Sequence, residues 1–260
     1  MLKRLHYSLL LAAMLLTTAY SAAAKPSTSG NTTRDYEATA TKAARFFHYR
    51  EWASAGALYS LMLADHPEVA DTYGHAIVAA GMLADTAKQA DLTAFALASH
   101  VPVDSLFTAV EHISFSVGQT SLYEDYLLET KAHTPWLKRI VDAYLMRYYA
   151  YRRDPQGMIT YSKIMLAGNP DSQHFLYTLA QGYLIDGQTE EALNVYRHIV
   201  SLDPNALEAL LYLANNSLRQ AQGNPIARDE ALAYFRQAQT IKATPYISDA
   251  IARLESMKKK

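Results

Sequence analysis

Glu111 and His112 place a carboxylate beside an imidazole, two groups that commonly exchange a proton in acid–base catalysis. They fall on a stretch with helical character. Adjacent side chains on a helix point in different directions, so the pair is badly placed to hand a proton across. His75 and His112 are a second possibility, as two ligands of a metal ion that would need at least a third. Nothing in the sequence supplies that third ligand convincingly. The spacings HExxH, GxSxG, GxxxxGK and GxGxxG do not occur. The chain has no cysteine, which removes thiol nucleophiles and thiolate metal sites. The expectation is a protein that is not an enzyme and carries no cofactor or metal.

What remains is surface, and surface depends on the elements that present it. Leu176, Leu179, Ala180 and Tyr183 lie at i, i+3, i+4 and i+7, on one face of a helix. Ala192, Val195, Tyr196 and Ile199 repeat the spacing on a second helix. Between them, Gly187 can take the left-handed conformation that ends a helix. Thr189 is read as the N-cap of the second helix, with Glu190 and Glu191 in its first turn, where the dipole favours negative charge. Pro204 forces a stop. Ala180 and Ala192 are small enough to let the two helices approach closely. The product is a helical hairpin too small to bury its own apolar faces, so it requires copies.

The copies are marked by prolines. Pro67, Pro102, Pro135, Pro170 and Pro204 are separated by 35, 33, 35 and 34 residues. The apolar spacing recurs at Ala55, Leu58, Tyr59 and Met62, at Met158, Tyr161, Ser162 and Met165, and at Ala231, Tyr234, Phe235 and Ala238. The copy from Gln173 to Ala206 carries Leu179-Ala180, Tyr183, Gly187, Ala192, Tyr196 and Pro204, and with these the chain resembles the tetratricopeptide repeat (TPR) family over roughly residues 36–246. Gly81, Glu111, Tyr123 and Ser162 stand where the family places typical packing residues. The resemblance implies an all-α, right-handed superhelical solenoid of about six helical hairpins, closed by a C-terminal capping helix over 247–260. Thr244 and Pro245 can open that helix, with Ile247, Ile251 and Leu254 on one face.

In the family the first helix of each hairpin lines a concave groove, and the resemblance carries that role to three trios. Tyr144, Arg147 and Tyr151 come from the fourth copy, His174, Tyr177 and Gln181 from the fifth, and Tyr212, Asn215 and Arg219 from the sixth. Each trio is spaced i, i+3, i+7. Tyrosine and arginine bury large areas and still make directed hydrogen bonds, which suits them to gripping a partner protein. With 19 tyrosines in the chain, plain packing competes with that reading. Asn215 falls at the family's amide position for holding a peptide backbone or carboxylate. Ala143, Tyr177 and Thr178 stand where the basic residues of a carboxylate clamp would lie, so no clamp for acidic C-termini is expected. Gln220 to Pro225 is an insertion, readable as a contact loop or as length that surface loops tolerate cheaply.

Met1 to Ala24 has the form of a secretory signal peptide, with Lys3 and Arg4, an apolar centre from Ser8 to Ala19, and Ala22-Ala23-Ala24 before Lys25. Its removal leaves 22 basic against 25 acidic residues, a net charge of −3, which is no footprint for nucleic acid. Residues 25–35 read as a flexible lead-in. No stable membrane span is expected after cleavage. These readings converge on a periplasmic or secreted protein of a Gram-negative bacterium, a scaffold or adaptor of the cell envelope binding segments of partner proteins in its groove. The alternative is a glycan- or peptidoglycan-associated binding protein, since tyrosine-rich grooves also stack on sugar rings.

Overall fold

The computed structural model describes residues 32–257. The expected signal peptide (1–24), most of the expected lead-in and the terminal lysines lie outside the described residues. Thirteen α-helices and one 3-10 turn, with no strand, make up the ordered elements among the described residues. They are α1 (Thr32–His48), α2 (Trp52–Asp65), α3 (Ala70–Met82), α4 (Thr86–Ala98) and α5 (Val103–Ser116), then α6 (Thr120–His133), the 3-10 turn Pro135–Leu137, α7 (Lys138–Arg152) and α8 (Pro155–Gly168). They continue as α9 (Gln173–Ile185), α10 (Thr189–Leu202), α11 (Leu207–Gln220), α12 (Pro225–Ile241) and α13 (Pro245–Met257). The fold is all-α and built from TPR-like helical hairpins. It divides between Gln119 and Thr120 into two compact units, α1–α5 and α6–α13.

One local device makes the hairpins. Arg50, Ala84, Gly118, Arg153 and Gly187 all have positive φ, between 53° and 78°, and succeed one another at 34 or 35 residues. After each, the next amide donates to a carbonyl five residues back: Glu51 to Phe46, Asp85 to Ala80, Gln119 to Ser114, Asp154 to Tyr149 and Gln188 to Tyr183, all at 2.9–3.0 Å. This is the Schellman closure of a helix C-terminus. Two of the five positions are glycine; the others hold alanine or arginine in a conformation that costs an L-residue about 1–2 kcal/mol. The turn therefore repeats more faithfully than its residues do.

The following helices are opened by side-chain caps where the sequence provides them. Asp85 accepts from the Lys88 amide at 2.9 Å, Asp154 from Gly157 at 3.0 Å and Asn224 from Ala227 at 3.1 Å. Thr244 does the same for Ile247 at 3.3 Å. The expected cap at Thr189 is corrected: Thr189 is the first helical residue and Gln188 occupies the cap position without a side-chain cap bond. The Gln188 carbonyl already accepts from the Ala192 amide at 3.2 Å, so the helical ladder starts one residue earlier than the residue types suggest. The N-terminal boundary shifts too. α1 begins at Thr32, inside the segment read as a lead-in, with Asp35 in its first turn where the dipole favours it.

Small residues set the close contacts. Ala55, Ala180 and Ala192 have no exposed surface. In the first unit α3 meets α5 at Gly74, where a Cβ would lie 2.7 Å from Ile113 Cδ1 and 2.9 Å from Ala109 Cβ. In the second unit Ile247, Ala250 and Leu254 of α13 bury themselves against Leu210, Ala214, Phe235 and Ala238 of α11 and α12. Each large apolar side chain so covered is worth about 1.5–3 kcal/mol. The last hairpin thus has a cover for its outer apolar face.

Candidate functional site

The second unit holds most of the chemistry singled out from the sequence. On α7, the guanidinium of Arg147 sits over the Tyr144 ring, 4.5 Å from its centroid. That stacking holds a flexible cation in a fixed place on the helix. α9 faces this pair with His174 and Phe175. Ala143, Met146, Ala150 and Thr178 complete the walls of a groove of about 360 Å³. Thr178 is spent locally, its hydroxyl donating to the His174 carbonyl at 2.9 Å. The groove is mainly apolar, and Ala143 and Ala150 leave the room that bulkier side chains would fill.

Of the nine trio residues, Tyr144, Arg147 and His174 come together in this groove. Tyr151 is exposed on α7 and does not line it. Gln181 is exposed on α9. Tyr177 and Tyr212 are half-buried and turn toward Tyr196: Tyr177 meets it edge-on at 6.2 Å, and Tyr212 stacks on it at 4.5 Å. Burial, and then the nearby Glu208 carboxylate, push the Tyr196 hydroxyl up to about 12. Asn215 is engaged from within the chain: its side-chain oxygen accepts the hydroxyl of Tyr246, which α13 brings over α11, and its carbonyl lies 3.4 Å from the Arg219 Nε. The capping helix thus reaches the amide that the family resemblance would reserve for a ligand.

The neighbouring tyrosines are structural. Tyr148 is buried and Tyr149 stacks on Tyr161 at 5.4 Å while its hydroxyl donates to Glu124. Burial first, and the Glu124 carboxylate second, raise both hydroxyls, Tyr148 to about 12. Gly157 makes room for the Tyr149 ring, since a Cβ there would lie 2.1–2.6 Å from three ring carbons. Beneath this cluster Asp142 is buried on α7, with Lys131 Nζ of α6 at 2.5 Å from its Oδ1. The same ammonium stands 5.0 Å from the Tyr161 ring centroid. The interlock adds charge and ring contacts among α6, α7 and α8 to the aliphatic packing of Leu127, Leu145 and Met158.

In the first unit, His75 Nδ1 lies 2.9 Å from the Asp71 carbonyl and 3.3 Å from its carboxylate. A carbonyl only accepts, so Nδ1 carries the proton. The hydrogen bond from His75, with the charges of His75 and His112, outweighs burial and lowers the Asp71 carboxyl below its ordinary range. Among the described residues no three histidine or acidic side chains are grouped as a metal ion would require. The first unit also holds a cleft walled by Phe47, Trp52, Tyr59 and His75, which the sequence did not announce because three different helices supply those rings.

No protein-family model and no curated protein matches the chain. Solved structures similar to it include the C-terminal part of a TPR repeat-containing protein from Cytophaga hutchinsonii, at 16% identity and a TM-score of 0.42, covering 78% of this chain and 79% of that one. A TPR protein from Parabacteroides merdae is 11% identical with a TM-score of 0.37, covering 85% and 99%. A TPR repeats protein from Bacteroides fragilis is 15% identical with a TM-score of 0.36, covering 85% and 98%. At such scores these likenesses carry no functional argument. The hairpin architecture rests on the turns, caps and contacts above.

Proposed function

We propose that this array of TPR-like hairpins holds a segment of a partner protein between α7 and α9, as a non-enzymatic scaffold or adaptor of a bacterial envelope. The observation that carries the reading is the groove itself. Arg147, stacked on Tyr144, and His174 line a mainly apolar groove, so a bound segment could bury apolar side chains beside a fixed positive charge. Export to the periplasm rests on the N-terminal sequence pattern alone, and N-terminal sequencing of exported protein beginning near Lys25 tests it. No helix among the described residues is long and apolar enough to cross a membrane.

The test is site-specific photocrosslinking in cells. A crosslinking residue at position 147 or 174 should trap one and the same protein, and the same residue at Asn194, exposed on α10, should not. Arg147→Ala with His174→Ala should abolish capture from a third reporter at Phe175, which lines the groove, while far-UV circular dichroism stays unchanged. Equal capture from position 194, or capture indifferent to the double substitution, would remove the groove from the account. Retention on purified peptidoglycan, lost in the same double variant, would instead favour the glycan reading.

A further inference from the structure

We infer that the first unit contains a binding cleft for a small organic acid, a single aromatic or other planar apolar ring bearing a carboxylate. The cleft encloses about 400 Å³, within the range of small-ligand sites. Four rings form its wall. Phe47 meets Trp52 at 5.0 Å, Tyr59 at 6.0 Å and His75 at 4.9 Å, each edge-on, and Tyr59 stacks on His75 at 4.7 Å. Phe47 and Tyr59 are buried and back the wall, while Trp52 and His75 are only half-buried and leave ring surface for a further planar group.

Arg50 is the one formally charged side chain in the lining, with the Asp71 carboxylate behind His75. His48, Arg50 and His75 line the cleft, and no carboxylate does. Asp71 is tied to His75 Nδ1; with the proton there, Nε2 of the neutral ring only accepts, so the carboxylate of a ligand falls to Arg50. Arg50 makes no ion pair among the described residues. Its backbone is pinned at φ 61° by the Schellman turn, so its side chain starts from a fixed point at the rim. A cationic ligand is disfavoured by these neighbours. A phosphate is poorly served as well: the rim amides of Arg50 and Glu51 already donate to Phe47 and Phe46, and no backbone nest remains for a multiply charged oxyanion. A planar monoanion matches both halves of the cleft, its ring against the aromatic wall and its carboxylate toward the guanidinium.

The chain has two tryptophans, Trp52 in the cleft wall and Trp136, exposed in the 3-10 turn of the second unit. A Trp136→Phe protein therefore reports on the cleft by fluorescence. Phenylacetate should change Trp52 emission saturably and bind about tenfold more tightly than phenylacetamide, the worth of a charge-assisted hydrogen bond. Phenethylamine should give no saturable change. Arg50→Gln with His48→Gln, two exposed positions, should reduce the acid-over-amide preference to about twofold or less without altering circular dichroism. Equal binding of acid and amide, no response to any probe, or a preference that survives the double substitution overturns the assignment. Tighter binding of the tripeptide Gly-Gly-Phe than of phenylacetate would make the ligand a chain end and overturn it too, as would saturable binding of N-acetylglucosamine alone.

Discussion

The repeated left-handed turn makes a quantitative prediction with an internal control. Ala84 and Gly187 occupy equivalent positions, at φ 57° and 78°, each with the same backward hydrogen bond behind it. Ala84 is exposed, so trimming its methyl loses almost no packing. A Cβ at Gly187 would meet nothing within 4 Å, so adding one causes no clash. Both exchanges therefore act through the backbone alone. The left-handed conformation costs an alanine about 1–2 kcal/mol, and glycine's greater freedom in the unfolded chain returns about 0.5–1 kcal/mol of that. Ala84→Gly should stabilise by about 0.5–1 kcal/mol and Gly187→Ala should destabilise by a similar amount. For units of this size that is about 2–4 °C in thermal midpoint, upward for the first and downward for the second. Far-UV circular dichroism with heat and with urea reads both, and the sign matters more than the size. If the two variants shift in the same direction, the turn is not what fixes these hairpins, and the hydrogen-bond pattern is incidental to their stability.

Three further outcomes follow from the interlock of α6, α7 and α8 and from the tyrosines. Gly157→Ala should cost about 1–3 kcal/mol as an overpacked contact, and much less when combined with Tyr149→Leu; additive effects in urea unfolding would mean that the ring does not need that glycine. Lys131→Met leaves the Asp142 carboxylate buried without its cation and should cost about 3–5 kcal/mol, with most of it recovered in Lys131→Met with Asp142→Leu; a loss under about 1 kcal/mol for the single change would show the pair to be effectively solvated. Tyr59, Tyr148 and Tyr196 have hydroxyls raised from the usual 10 to about 12, so the unfolded chain releases those protons first. Their contribution to stability is intact below pH 10 and is lost as pH rises to about 12. The urea midpoint should hold to pH 10 and then fall, and a flat profile to pH 12 would contradict the burial assigned to these rings.

The sequence by itself determined the hairpins. Helical periodicity, the prolines after α2, α4, α6, α8 and α10, and Gly187 act over a few residues, and such local preferences survive whatever the rest of the chain does. Thr244 and Pro245 fixed the start of α13 in the same way. Local reasoning slipped by a residue at Thr189, where the Ala192 amide bonding to the Gln188 carbonyl, rather than residue type, marks the start of α10. It also missed the left-handed turns at Arg50, Ala84 and Arg153, because the residue types there give no sign of the conformation. The candidate site was legible only in part. Spacing put each trio on one helical face, but which of its members meet another helix depends on how neighbouring helices cross. Tertiary packing alone gathered Tyr144, Arg147 and His174 into one groove, turned Tyr177 and Tyr212 onto Tyr196, and brought Tyr246 to Asn215 across 31 residues of chain. The same holds for the cleft of Phe47, Trp52, Tyr59 and His75. A helix's own sequence fixes which residues share a face, and only close packing against its neighbours decides what that face encloses.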